Sequence, residues 1–220
     1  MSLDRIDRET TSLAARVHHK LREAILSGQL KSGESLIEEN LSVELGVSRS
    51  PLREALARLE QEGLITSRPY RGAVVAGATR TEIVQAIQIR ERLEPLAIEL
   101  AIDAIPEEEI DKTMAQIESL KAVASQHDPL AYYECDRALH SLAPQYAGNQ
   151  ILEQFLSTLE DKVHTYRLQG VGFNDILAAS NEHIEILRAL RRRDRDAATA
   201  AMIRHLELAC ERLCGVTIRG

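Results

Sequence analysis

The stretch LSVELGVSRSPLREALARLEQEGLITSRPY, from Leu41 to Tyr70, constrains this chain more than any other. Leu41 and Leu45 stand one turn apart on a first short helix. Gly46 predicts a tight turn, with Val47 behind it as an apolar plug. A second helix opens at Ser48 or Ser50, repeats Leu52, Ala55, Leu56 and Leu59, and stops at Gly63. Arg49, Ser50, Arg53 and Arg58 fall off that apolar stripe, where they can meet a polyanion. This is the pattern of a helix-turn-helix whose second helix enters a DNA major groove. Many helix pairs joined by a glycine only pack against each other, so the flanking sequence decides. LITSRPYRGAVVAG reads as a strand, a turn with Pro69 and Gly72, and a second strand. That makes a wing with Arg68 and Arg71 at its tip. Upstream, Leu13, Val17, Leu21, Ala24 and Ile25 predict an amphipathic helix closed by Gly28.

Net charge is −7, which taken alone argues against a nucleic-acid binder. The charge is unevenly placed. Residues 1–77 hold 11 Lys or Arg and 11 Asp or Glu, whereas the rest holds 16 and 23. A neutral domain still binds DNA when its cations share one face. Two Phe and no Trp exclude an aromatic platform for single strands. Cys135, Cys210 and Cys214 form no disulfide framework, and no signal peptide or long apolar run is evident. The expected setting is a reducing cytoplasm, without membrane association. Cys210 and Cys214, one helical turn apart, read either as metal ligands or as small core thiols.

Beyond Gly77 the pattern turns helical almost to the end. Expected helices are 80–104, 106–126, 129–147, 150–170, 174–192 and 195–214, started by Pro106, Asp128-Pro129, Asn174-Asp175 and Asp194. Pro95 and Pro144 should kink or interrupt theirs. Such a set can bury a core as a bundle. Asp136 and His140 share a helix face at i, i+4. His183 is expected near the core edge, and His205 lies between Ala201, Met202 and Leu208 on the last helix. Each histidine alone reads as easily as an ordinary core or surface residue. Pointed together into a bundle, three histidines and an aspartate suit Zn²⁺, Ni²⁺, Mn²⁺ or Fe²⁺. His18, His19, His127 and His164 show no partner pattern. The run Arg191-Arg192-Arg193 with Asp194 reads as a solvated helix end.

Two resemblances sharpen these expectations. SLAARVHHKLREAILSGQLKSGESL, LGVSRSPLREALARLEQEGLI and RPYRGAVVAG closely resemble the winged helix of GntR-family transcription regulators, over roughly residues 10–77. The resemblance implies that Ser48, Arg49, Ser50, Pro51 and Arg53 face DNA, and that Gly72 and its neighbours, Arg71 among them, approach the minor groove. Some relatives carry a DNA-contacting arginine where this chain has Glu38 and Glu39. DRALH, AGNQIL, NEHIEILRALRRRD and AATAAMIRHL resemble the FadR C-terminal (FCD) effector domain. That resemblance implies Asp136, His140, His183 and His205 as metal ligands, although Leu139 stands where an aromatic residue is frequent. It also implies small organic acids or sugar acids as effectors. Arg90 matches a cavity-facing position and is the candidate carboxylate anchor; it reads equally as a surface arginine paired with Glu94. Tyr132, Tyr133, Arg137 and Asn181 are further effector-side candidates.

The expected molecule is mainly α, with two domains. Residues 1–77 form a winged helix-turn-helix, and residues 78–220 an all-α effector and metal-binding domain. It is expected to be a homodimeric regulator, more often a repressor, on a palindromic double-stranded operator. A small carboxylate at the metal, Zn²⁺ first, would control it. Two alternatives stay open: a purely structural metal with another effector, and a metal-dependent hydrolase.

Overall fold

The computed structural model describes residues 12–68, 72–123, 129–168 and 176–218. Helices α1 (Leu13–Leu26), α2 (Glu38–Leu45) and α3 (Arg49–Gln61) come first, with a strand, β1 (Ser35–Leu36), between α1 and α2. Strands β2 (Ile65–Arg68) and β3 (Gly72–Val75) follow. The sheet runs β1-β3-β2, antiparallel throughout, with Arg68 opposite Gly72 and Leu36 opposite Ala73. Gly46 closes α2 at φ +64°, a left-handed conformation that costs a side-chain-bearing residue about 1–2 kcal/mol. Leu52, Ala55 and Leu59 of α3 are wholly buried against Val17, Leu21 and Ile25 of α1. The strand at Ser35–Leu36 was not expected, because two residues are too few to show a period.

Six helices complete the described chain: α4 (Arg80–Ala101), α5 (Glu107–Val123), α6 (Pro129–Tyr146), α7 (Gln150–Tyr166), α8 (Ile176–Arg191) and α9 (Arg195–Cys214). Their starts follow side-chain chemistry. Thr79 and Glu82 form a reciprocal capping box on α4, and Asn149 and Asp194 cap α7 and α9. Pro95 and Pro144 lie inside their helices, so of the two expected effects neither produces an interruption. Pro95 is buried within the bundle, where packing holds α4 together across the missing N–H. Ile83, Ile87, Ile98, Ile186, Leu187 and Leu206 form the centre of this second core. Tyr133 of α6 instead joins the core of the N-terminal part.

Arg193 corrects the solvated-end reading of the arginine run. At φ +55° it turns back and donates from Nη2 to the Ile105 carbonyl at 2.7 Å and from Nη1 to that of Ile102. Both carbonyls lie just past α4, where no helical N–H reaches them. No described helix is long and apolar enough to cross a membrane.

Candidate functional site

Three helices bring four donor side chains to one point in the bundle. Asp136 and His140 come from α6, His183 from α8 and His205 from α9, all buried. His183 therefore lies inside the core and not at its edge. It is drawn in because Ile184, Ile186 and Leu187 commit the surrounding face of α8 to the bundle. Its Nε2 stands 3.3 Å from His205 Nε2 and 3.6 Å from Asp136 Oδ1. His140 Nε2 stands 3.9 Å from the same oxygen. One donor atom from each of the three histidines fits within a mutual 4.8 Å.

An outer ring orients these groups. His140 Nδ1 donates to Glu94 Oε2 at 2.6 Å, and His205 Nδ1 to Glu182 Oε2 at 2.7 Å. Each leaves its Nε2 lone pair turned inward, the usual arrangement behind a metal-binding imidazole. Burial opposes the Glu94 charge, but Arg90 and His140 outweigh it and hold the carboxyl at about 2. Glu182 is held at about 2 against its burial by His205 and Arg212. Asp136 accepts from Arg167 Nη1 at 3.0 Å and from the Tyr132 hydroxyl at 3.3 Å. Burial opposes its charge as well, yet the Arg167 guanidinium beside it keeps it far below the usual carboxylate range. Burial pushes His183 and His205 down, so both imidazoles are neutral at neutral pH.

The chemistry of this donor set fits a divalent transition metal. Nitrogens bound to one zinc at about 2.0–2.1 Å lie roughly 3–3.5 Å apart, close to the spacing found between His183 and His205. Neutral imidazoles and one carboxylate suit zinc, nickel, manganese or iron alike.

Arg90 is buried, so its reading as a surface arginine fails, although its pairing with Glu94 holds at 2.6 Å. Its Nη2 has no partner among the described residues, and neither does Oε1 of buried Glu160. Burial and the nearby Asp136 charge push the Glu160 carboxyl well above its ordinary value. Sequence reading missed Glu160, although an acid in register with Leu152, Leu156 and Val163 on the apolar face of α7 was the available signal. Tyr132 faces Asp136, whereas Tyr133 and Arg137 turn to the N-terminal part and Asn181 is exposed. His164 does have a role: it is fully buried, and its Nε2 donates to the Leu26 carbonyl at 2.8 Å. His18 likewise pairs with Glu62 at 2.7 Å. Cys135, Cys210 and Cys214 are buried free thiols, and none belongs to the group of three histidines.

On the N-terminal part, Ser48, Arg49, Ser50 and Arg53 are exposed at the start of α3, and Pro51 is half-buried. Arg58 pairs with Glu54 on the same helix at 2.6 Å. Gly72 opens β3 at φ +71°. Arg71 lies outside the described residues.

Residues 13–75 match the family described as bacterial regulatory proteins, gntR family, and residues 85–208 match the FCD domain. The chain is 30% identical over 205 residues to the HTH-type transcriptional regulator YdhC of Bacillus subtilis, covering 92% of each protein. It is 27% identical to the HTH-type transcriptional repressor RspR of Escherichia coli, over 90% of this chain and 87% of that one. Its fold is that of Escherichia coli McbR/YncC, with a TM-score of 0.78 at 21% identity over 90% of this chain and 95% of that structure. The chain belongs to the GntR family of bacterial regulators, with an FCD domain behind its winged helix, and is a DNA-binding transcription regulator and not an enzyme.

Proposed function

We propose that this regulator is a cytoplasmic repressor controlled by a small carboxylate at a divalent metal held by Asp136, His140, His183 and His205. The convergence of these four donors in the bundle carries the reading. Charge bookkeeping around them supports the rest. Arg90 offsets Glu94, Arg167 offsets Asp136, and Arg212 offsets Glu182, while burial keeps His183 and His205 neutral. A divalent cation adds positive charge that these pairs leave uncompensated, and with open coordination positions it supplies a Lewis-acidic seat for an acid anion. Arg90, whose Nη2 has no partner among the described residues, is the proposed second anchor of that anion.

On the DNA side, Ser48, Arg49, Ser50, Pro51 and Arg53 are proposed to meet the major groove, and Arg71 and Gly72 the adjacent minor groove. The exposure of the α3 start supports this. One recognition helix reads few base pairs, so the active form is proposed to be a homodimer on a palindromic operator. Ile89, Leu96 and Leu100 form an exposed apolar row along α4 that suits a partner copy. The acid must bind the two arrangements of the dimer unequally to change DNA affinity.

The test is the thermal midpoint of the protein with a panel of small carboxylates, before and after chelation. An acid that raises the midpoint only in the metal-loaded form supports the reading. A large drop on chelation with no response to any acid would favour a purely structural metal.

A further inference from the structure

Four pairs of sequence neighbours divide between the metal site and the DNA-binding part. Tyr132 donates to Asp136, while the Tyr133 hydroxyl donates to Asp161 and accepts from Arg22 of α1 at 3.1 Å. Asp136 is a proposed ligand, while Arg137 donates to the Tyr133 hydroxyl at 3.0 Å. Glu160 lies within the electrostatic reach of Asp136 and Arg90, while Asp161 accepts from Arg22. Arg167 holds Asp136, while Leu168 sits beside Gly28, where a methyl group would come within 3.5 Å of it. Successive helical residues point about 100° apart, so α6 and the end of α7 present one face to each side.

The path continues to the recognition helix. Arg22 Nε stands 3.5 Å from Glu62, the residue that caps the C-terminal end of α3. His18 holds the other oxygen of Glu62. The Tyr133 hydroxyl is saturated: it donates one hydrogen bond and accepts two, all that a phenol can make. It is buried, and its ring lies against His164 with centroids 4.4 Å apart. A shift of α6 against α7 or α1 must therefore break one of these bonds or move all three partners together.

We propose that the Tyr133 hydroxyl is the junction through which a change at Asp136 reaches α1 and the end of α3. This rests on the metal-site reading above. The coupling element is the hydrogen-bonded group of Tyr133, Asp161, Arg22 and Arg137, not the apolar contact around it.

The test uses the full chain, chelated and then loaded with zinc alone, and follows backbone hydrogen exchange. In the wild type, zinc is expected to slow exchange in α8 and α9 and also in α1. Tyr133→Phe keeps the buried ring and should keep the α8 and α9 response while losing that of α1. Asp161→Asn should do the same and serves if the first variant folds poorly. An α1 response that is absent in the wild type, or that survives in these variants, overturns the proposal. No response to zinc in α6, α8 or α9 would defeat the metal reading itself, and the proposal with it.

Discussion

Glu38 Oε2 accepts a hydrogen bond from Arg53 Nε at 2.8 Å, so an acid at the start of α2 holds a cation of the recognition helix. Arg53 is exposed and Glu38 half-buried, and such a surface pair is worth little to stability. If Arg53 meets DNA as proposed, the consequence falls on DNA binding, because Arg53 must leave Glu38 to reach a phosphate or a base. Glu38→Gln is expected to tighten binding to duplex DNA and to steepen its log–log salt dependence by about 1. Glu39→Gln, with the same change in charge, is the control and should do less. Arg49→Ala should weaken binding and flatten that slope by about 1. An operator affinity unchanged in Arg49→Ala at fixed salt removes α3 from the interface.

Glu94 stands between Arg90 and His140 and bonds both. Glu94→Gln keeps the shape but takes away the charge that orients the imidazole. Metal affinity, measured by competition with a chelator, is expected to fall about 10–100-fold, as it does when groups behind a metal ligand are lost. Tyr132→Phe, which frees one side of Asp136, should lower affinity less. Equal affinity in Glu94→Gln and the wild type would mean that His140 is not a ligand.

Stability should fall in acid partly through His164. Its burial outweighs the Leu26 hydrogen bond and holds the imidazole at about 4, below its ordinary 6.5. Tyr133, Arg167, Asp136 and Asp161 surround it. The unfolded chain therefore takes up this proton at higher pH than the folded one. The contribution is full above pH 6.5, declines as pH falls toward 4, and changes no further below that. The loss amounts to about 3 kcal/mol at most. His164→Gln should flatten the midpoint–pH curve across that window relative to the wild type. Parallel curves would show that His164 takes up its proton at the same pH in the folded and unfolded chain.

Arg193 gives a separate test of the bundle. Arg193→Ala removes the donors to the Ile102 and Ile105 carbonyls but keeps a side chain at positive φ. The expected loss is about 1.5–3 kcal/mol in chemical denaturation. Arg193→Gly should lose about 1 kcal/mol less, since glycine adopts that backbone without strain. The same loss in both variants would show that the backbone conformation relaxes freely.

Local chemistry was legible where one residue settles a conformation. Gly46 marked the turn, Asp194 marked a helix start, and the spacing of Leu52, Ala55 and Leu59 marked the buried face of α3. Asp136 and His140 share a face by helical period alone. Their meeting with His183 and His205 depended on resemblance, since no local rule brings residues of three helices together. Tertiary packing decided what each polar group meets. Arg90 pairs with Glu94 as its spacing allowed, but the bundle buries the pair and turns Glu94 onto His140. Tyr132 and Tyr133 are identical in sequence terms and opposite in destination, because α6 lies between the histidine cluster and α1. Sequence sets period, caps and turns through forces acting within a few residues. Which side of a doubly buried helix faces the histidine cluster, and which faces the DNA-binding part, is decided only when distant segments exclude water between them.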